Sequence, residues 1–141
     1  MTVATVMTQC PACCTPRTPL SDVARLMVEN DCGEIPVVED MDSRKLVGVI
    51  TDRDIAVRIV ATGRNSAEAS ASDCMTSPCV SVSPETTLEA CCELMELNKI
   101  RRVPVLDEAG GVVGIVSLAD VVRNARASTT ASVVKEVSTD L

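Results

Sequence analysis

The sequence predicts an α/β fold in which two pseudo-symmetric β-α-β-β-α copies pack together as one unit. The first observation is an ordered repeat. Met7-Thr8 returns as Met75-Thr76, Leu20 as Leu88, Ile35-Pro36-Val37-Val38 as Val103-Pro104-Val105-Leu106, Gly48-Val49-Ile50-Thr51 as Gly114-Ile115-Val116-Ser117, and Asp54 as Asp120. The offset is 68 positions up to the proline-containing strand (7 to 75, 35 to 103) and 66 after it (48 to 114, 54 to 120). The second is length: 141 residues suit a single core and are too few for a solenoid or for two ordinary independent domains. The third is that apolar spacing switches between helical and strand periods in the same order in each copy.

Each copy opens on a short extended piece, Pro11 to Thr15 and Cys79 to Ser83. A helix start follows. Ser83-Pro84-Glu85 offers a cap, a proline suited to the first helical position and an acid near the positive helix end. Thr15-Pro16 does the same in copy one, with the helix beginning a few residues later. Leu20, Val23, Ala24 and Met27 make one apolar stripe, and Leu88, Cys91, Cys92 and Met95 its twin. Two strands come next, at Ile35–Glu39 and Lys45–Thr51, then at Val103–Asp107 and Val112–Ser117. Asp40-Met41-Asp42-Ser43 and Glu108-Ala109-Gly110-Gly111 supply the turns. A second helix closes each copy, about Asp52–Ala61 and Leu118–Ala127. The expected organisation is repeat one over residues 6–63, a small polar linker over 64–73, repeat two over 74–127 and an unrepeated tail over 128–141.

Composition removes several functional classes. The chain is 46% hydrophobic but has no Phe, Tyr or Trp, so the core is aliphatic and no base can stack on an aromatic ring. A net charge of −7 disfavours a nucleic-acid backbone partner. No apolar run approaches the roughly 20 residues that cross a bilayer, and no signal peptide opens the chain, so a cytoplasmic location with reduced thiols is expected. His is absent, which removes the commonest general base and metal ligand. No enzymatic activity is expected.

The repeated motifs resemble the cystathionine-β-synthase (CBS) domain, present as the tandem pair known as a Bateman module. The resemblance runs from Val6 to Arg126. It is carried by the Met-Thr openings, the apolar-Pro-Val strands and the Gly-apolar-apolar-Thr/Ser-x-x-Asp endings. The stretch Gly48-Val49-Ile50-Thr51-Asp52-Arg53-Asp54-Ile55-Ala56-Val57-Arg58 is similar to that of small stand-alone bacterial members. The stretch Asn98-Lys99-Ile100-Arg101-Arg102-Val103-Pro104-Val105 is similar to a segment of the γ subunit of AMP-activated protein kinase. The resemblance implies adenosine-containing ligands (AMP, ADP or ATP, also S-adenosylmethionine or NAD) bound between the repeats, a flat homodimer, and regulation of an unidentified partner protein without catalysis. No obligatory cofactor is implied.

The motif chemistry fits that implication. Thr51-x-x-Asp54 and Ser117-x-x-Asp120 fall where a strand turns into a helix. There Asp54 and Asp120 can each accept two hydrogen bonds from a ribose diol, while the hydroxyls of Thr51 and Ser117 donate to phosphate beside a helix amino-terminus. The competing reading is a capping box, which needs no ligand. Arg101 and Arg102 precede the strand of copy two, where copy one has Gly33 and Glu34, so one cleft suits polyanions better than the other. By resemblance to the kinase subunit they face phosphates. Arg53 and Arg58 are further phosphate candidates, with a solvated helix face or a salt bridge as the alternative. Without aromatics, adenine needs aliphatic walls and backbone groups. Val6, Thr8, Thr76, Val80, Ile35 and Val103 are candidates, with core packing as the alternative for each. Pro36 and Pro104 leave a strand edge where a ligand can pair.

Cys10-x-x-Cys13-Cys14 invites a metal or redox reading. Yet five of the eight cysteines (Cys14, Cys32, Cys74, Cys91 and Cys92) align with Val82, Ile100, Val6, Val23 and Ala24 in the other copy, and so behave as small hydrophobes. No metal site is expected. The leading expectation is a nucleotide-binding sensor. The rivals are a ligand-free interaction module and a thiol- or metal-responsive module using Cys10 and Cys13.

Overall fold

The computed structural model describes residues 1–124. The elements are β1 (Thr8–Gln9), α1 (Leu20–Asn30), β2 (Glu34–Val38), β3 (Leu46–Thr51), α2 (Asp52–Ile55), α3 (Leu88–Asn98), β4 (Arg102–Leu106) and β5 (Val112–Ser117). A further helical segment opens at residue 118 and is described to residue 124. The last three residues of the helix expected there, and the whole tail, lie outside the described residues. No helix among the described residues is long and apolar enough to cross a membrane.

The helices form as their stripes require. α1 buries Leu20, Val23 and Met27, and α3 buries Leu88, Cys91 and Met95. Each ends on a residue in the left-handed region, Asp31 at φ 48° and Lys99 at φ 55°, whose backbone N–H reaches back to the last-turn carbonyls. The helix start at Ser83-Pro84 is corrected: α3 begins at Leu88, with Thr87 Oγ1 accepting from Ala90 N–H at 3.1 Å. Ser83 N–H instead donates to Thr86 Oγ1 at 3.1 Å, closing a turn. The helical bond from Leu88 N–H to Pro84 is replaced by one to Met1 C=O at 3.3 Å, and the carbonyls of Pro84 and Thr86 accept from Ala4 and Val3 at 3.2 and 2.9 Å. Copy one behaves alike. Thr15 N–H bonds Thr18 Oγ1 at 2.9 Å, and the carbonyls of Pro16 and Thr18 accept from Ser72 and Ala71. α2 runs directly into a π-helical turn, Ala56–Val60, closed by Ala61 N–H to Ala56 C=O at 2.8 Å.

β2 pairs antiparallel with β3, and β4 with β5, each with a register shift before the last pair, at Val37/Val38 and Val105/Leu106. The extended pieces lie parallel beside them through the bridges Cys14 to Val37 and Val82 to Val105. The Met-Thr openings cross over. β1, from the start of copy one, pairs with β5 of copy two, Thr8 opposite Ile115. Thr76, from the start of copy two, pairs with Val49 of copy one, exchanging hydrogen bonds at 2.8 and 3.1 Å. Each half's opening segment thereby becomes an edge of the other half's sheet.

The cores record the same exchange. One holds Leu20, Val23, Met27, Ile35, Ile50 and Ile59 of copy one together with Ala69, Ala71 and Cys74. The other holds Leu88, Met95, Val103, Val105, Val116 and Val121 of copy two together with Val3. Cys13, Val38 and Val112 form a third cluster between the halves. Two glycines permit the crossing. A Cβ on Gly48 would stand 2.8 Å from Thr76 O and 3.1 Å from Met75 Sδ. On Gly114 it would run into Met7 Sδ and stand 3.1 Å from Thr8 O. The recurring Met-Thr and Gly are thus contact partners, each pair drawn from opposite copies.

Candidate functional site: a cleft between the repeats

A cleft of about 430 Å³ opens between the halves, within the ~300–1,000 Å³ usual for small-molecule sites. Copy one contributes the exchanged segment from Thr8 to Ala12, the end of α1 with Asp31 and Cys32, and Glu34 on β2. Copy two contributes Arg102 on β4, Ile115 to Ser117 on β5, and Asp120. The strand exchange builds this wall: pairing β1 with β5 sets Thr8 opposite Ile115 and brings Thr8 to Ala12 into the same cleft as Ser117 and Asp120.

The two Ser/Thr-x-x-Asp motifs differ in state. In copy one the capping box is complete. Thr51 Oγ1 accepts from Asp54 N–H at 3.0 Å, and Asp54 Oδ2 accepts from Thr51 N–H at 3.0 Å. Asp54 Oδ1 also stands 3.9 Å from Arg58 Nη2. In copy two only half of the box is made. Ser117 Oγ accepts from Asp120 N–H at 3.1 Å, and the Asp120 carboxylate is left to line the cleft, with Arg123 Nη2 at 3.6 Å from its Oδ1. The cap is therefore complete in copy one and half-made in copy two.

The other candidate residues are spread out. Thr8, Ser117, Arg102 and Asp120 come together in the cleft. Ile35 and Val103 are fully buried in the two cores. Pro36 and Pro104 are buried too, while Val6 and Val80 pack on the copy-two core. Thr76 sits against Val49. Arg53 and Arg101 are exposed. Arg58 donates through Nη1 to the carbonyls of Cys74 and Met75, at 2.9 and 3.1 Å, which holds the exchanged segment of copy two onto copy one. Arg58→Ala should therefore lower stability by about 2 kcal/mol, read as a shift of the urea midpoint. An unchanged midpoint would show those bonds to be replaceable by water.

Glu34 is the residue that motif reading passed over. It is 7% exposed, and its Oε2 has no hydrogen-bond partner among the described residues. Burial pushes its carboxyl up to about 7, against the pull of Arg102 and with a push from Asp54. Its signal in the sequence was the repeat register itself, which sets an acid in copy one opposite a base, Arg102, in copy two. Arg102 passes over Gly33, where a Cβ would lie 3.4 Å from its Nη1.

Cys13, Cys14, Cys74 and Cys91 are buried, and Cys10 is exposed. Cys14 is pushed up to about 12, chiefly by burial and further by Cys13. Cys13 is raised by burial despite Arg44, whose Nη2 lies 3.2 Å from its Sγ. All eight cysteines are unpaired. Among the described residues no group of three or more Cys, Asp or Glu stands close enough to hold a metal ion.

Comparison with known families matches residues 3–61 and 71–127, each to the CBS domain. The chain belongs to the CBS-domain family. This CBS-domain protein is 38% identical over 122 residues to the CBS domain-containing protein YhcV of Bacillus subtilis, covering 86% of this chain and 84% of the relative. Its fold is similar to CBSX2 of Arabidopsis thaliana, solved in complex with AMP, with TM-score 0.77 and 28% identity over 88% of this chain and 95% of that one. It is also similar to Hypoxic Response Protein I of Mycobacterium tuberculosis, solved with two coordinated zinc ions, with TM-score 0.77 and 32% identity over 87% of this chain and 98% of that one.

Proposed function

We propose that this CBS pair is a regulatory module, not an enzyme, that binds an adenosine-containing ligand in the cleft between its repeats. The observation that carries the reading is the half-made cap at Ser117. It leaves the Asp120 carboxylate in a cleft of ligand size, opposite the exchanged strand of the other copy. A carboxylate so placed suits a ribose diol, and Arg102 in the same cleft suits a phosphate. AMP in CBSX2, a relative of the same fold, supports this ligand class. Because both copies line the cleft, a ligand that prefers one arrangement of the halves shifts the population toward it, which is the means of signalling. The same reading has the module act as a homodimer in the cytoplasm on a partner protein. Eight unpaired thiols accord with a reducing compartment.

Asp120→Asn tests this. Calorimetry with AMP should show binding weakened about tenfold or more, with the melting temperature of the free protein close to wild type, since the Ser117 cap uses the Asp120 backbone and not its carboxylate. Equal AMP affinity in the two proteins would remove Asp120 from the ribose role, and no stabilisation of wild type by AMP, ADP, ATP, S-adenosylmethionine or NAD would leave the ligand-free interaction module in place of the nucleotide reading.

A further inference from the structure

We propose that Glu34 is a charge-selecting residue of the cleft, favouring an adenosine ligand with no more than one phosphate over di- and triphosphates. This rests on the reading that the cleft takes an adenosine ligand, and it narrows that ligand. Three carboxyl residues line the cleft, Asp31, Glu34 and Asp120, while Arg102 is the one cationic side chain among the described lining residues. Glu34 is the most enclosed of the acids, at 7% exposure, and its buried Oε2 has no hydrogen-bond partner among the described residues. Charged and titratable groups reach it from several elements. Arg102 on β4 attracts it, Asp54 on α2 repels it, and the Cys79 thiol lies close enough to feel its charge. Asp31 after α1 and Asp120 share its cleft. Arg123 is held against Asp120 from an exposed position, outside the lining.

One phosphate can pair with Arg102. A second or third meets no further cation among the described lining residues and adds its charge to a site already rich in carboxylates. Repulsion inside a partly desolvated cleft is weakly screened, so the penalty falls on each added phosphate. The selection also has a pH dependence that a fixed shape would not have. Glu34 loses its proton near pH 7, so its repulsion is present above that range and fades below it.

Isothermal titration of wild type and Glu34→Gln with adenosine, AMP, ADP and ATP, at about pH 8 and about pH 6, tests the assignment. At pH 8 wild type should bind AMP about tenfold or more tightly than ATP, and Glu34→Gln should reduce that gap to about threefold or less. The wild-type gap should also narrow at pH 6. AMP and ATP take up a terminal-phosphate proton in the same range, near about pH 6, so their charge difference is preserved and the narrowing reports the protein. This wild-type comparison decides the matter if the variant does not fold. ATP binding as tightly as AMP at pH 8, or a gap indifferent to both Glu34→Gln and pH, overturns the inference. If AMP binds and Asp120→Asn weakens it while the gap stays fixed, only the role of Glu34 falls. If no adenosine ligand binds wild type, the proposed function falls and takes this assignment with it.

Discussion

Gly48→Val is expected to destabilise the protein by about 3 kcal/mol, toward the upper end of overpacking penalties. The position has no room, since even a Cβ would stand 2.8 Å from the backbone oxygen of Thr76 and 3.1 Å from Met75 Sδ. A backbone oxygen tied into the bridge to Val49 cannot step aside as a side chain can. The exchanged segment must shift, and with it the hydrogen bonds of 2.8 and 3.1 Å that join Thr76 to Val49. Gly114→Val meets the mirror contact with Met7 and Thr8, and should in addition weaken ligand binding, because β1 is a wall of the cleft. Urea denaturation measures the first effect and AMP titration the second. A Gly48→Val midpoint equal to wild type would mean that the two halves are not wedged together at this crossing.

Glu34→Gln should raise stability by up to about 3 kcal/mol at pH 8 and do little at pH 5. In the folded protein this carboxyl is raised from 4.5 to about 7, with burial the leading cause. Where the folded state holds a proton that the unfolded chain has lost, stability falls as pH rises. The wild-type protein therefore gives up stability progressively between about pH 4.5 and pH 7, with the full loss present above that window. Glutamine keeps the shape and removes the charge, less the cost of seating an amide where Oε2 already lacks a partner. Denaturation midpoints taken at the two pH values, for both proteins, read this directly. Parallel pH profiles would show that Glu34 is solvated in the folded state and not strained by burial. A protein that tolerates a costly buried acid in the wall of a cleft fits a site where stability has been exchanged for selection.

Much of the architecture was legible because it is local. Leu20, Val23 and Met27 recur at helical spacing whatever they pack against, and β5 falls on the expected Val112–Ser117. β2, β3 and β4 begin within one residue of their expected positions, at Glu34, Leu46 and Arg102, whereas β1 at Thr8–Gln9 precedes the extended piece expected at Pro11 to Thr15. The cysteines aligned with apolar partners were legible too, and Cys14, Cys74 and Cys91 are buried as small hydrophobes. The helix start at Ser83-Pro84 misled for a physical reason. Its capping signal is local, but the neighbouring carbonyls are taken by Val3 and Ala4, from the far end of the chain.

The candidate site was legible in kind but not in assignment. Asp54 and Asp120 occupy equivalent places in an almost identical motif, and the neighbouring differences, Arg53 and Arg58 against Ala119 and Asn124, do not by themselves say which carboxylate closes its cap. The difference lies in which oxygen meets which backbone N–H once the halves have packed: Asp54 turns back onto Thr51, and Asp120 faces the cleft. Glu34 carries no motif at all. It gains its meaning from Arg102 across the pseudo-twofold and from the burial that leaves Oε2 alone.

Residue order was therefore enough to establish the doubled β-α-β-β-α plan, the apolar faces and the family, since each is a periodicity or a motif written within a few turns of chain. The crossing of Thr8 onto Ile115 and of Thr76 onto Val49, the complete cap at Asp54 against the half-made one at Asp120, and the enclosure of Glu34 arose in packing. Each crossing joins residues from different copies, and contacts of that range follow from the shape and burial of the assembled halves, which no local pattern encodes.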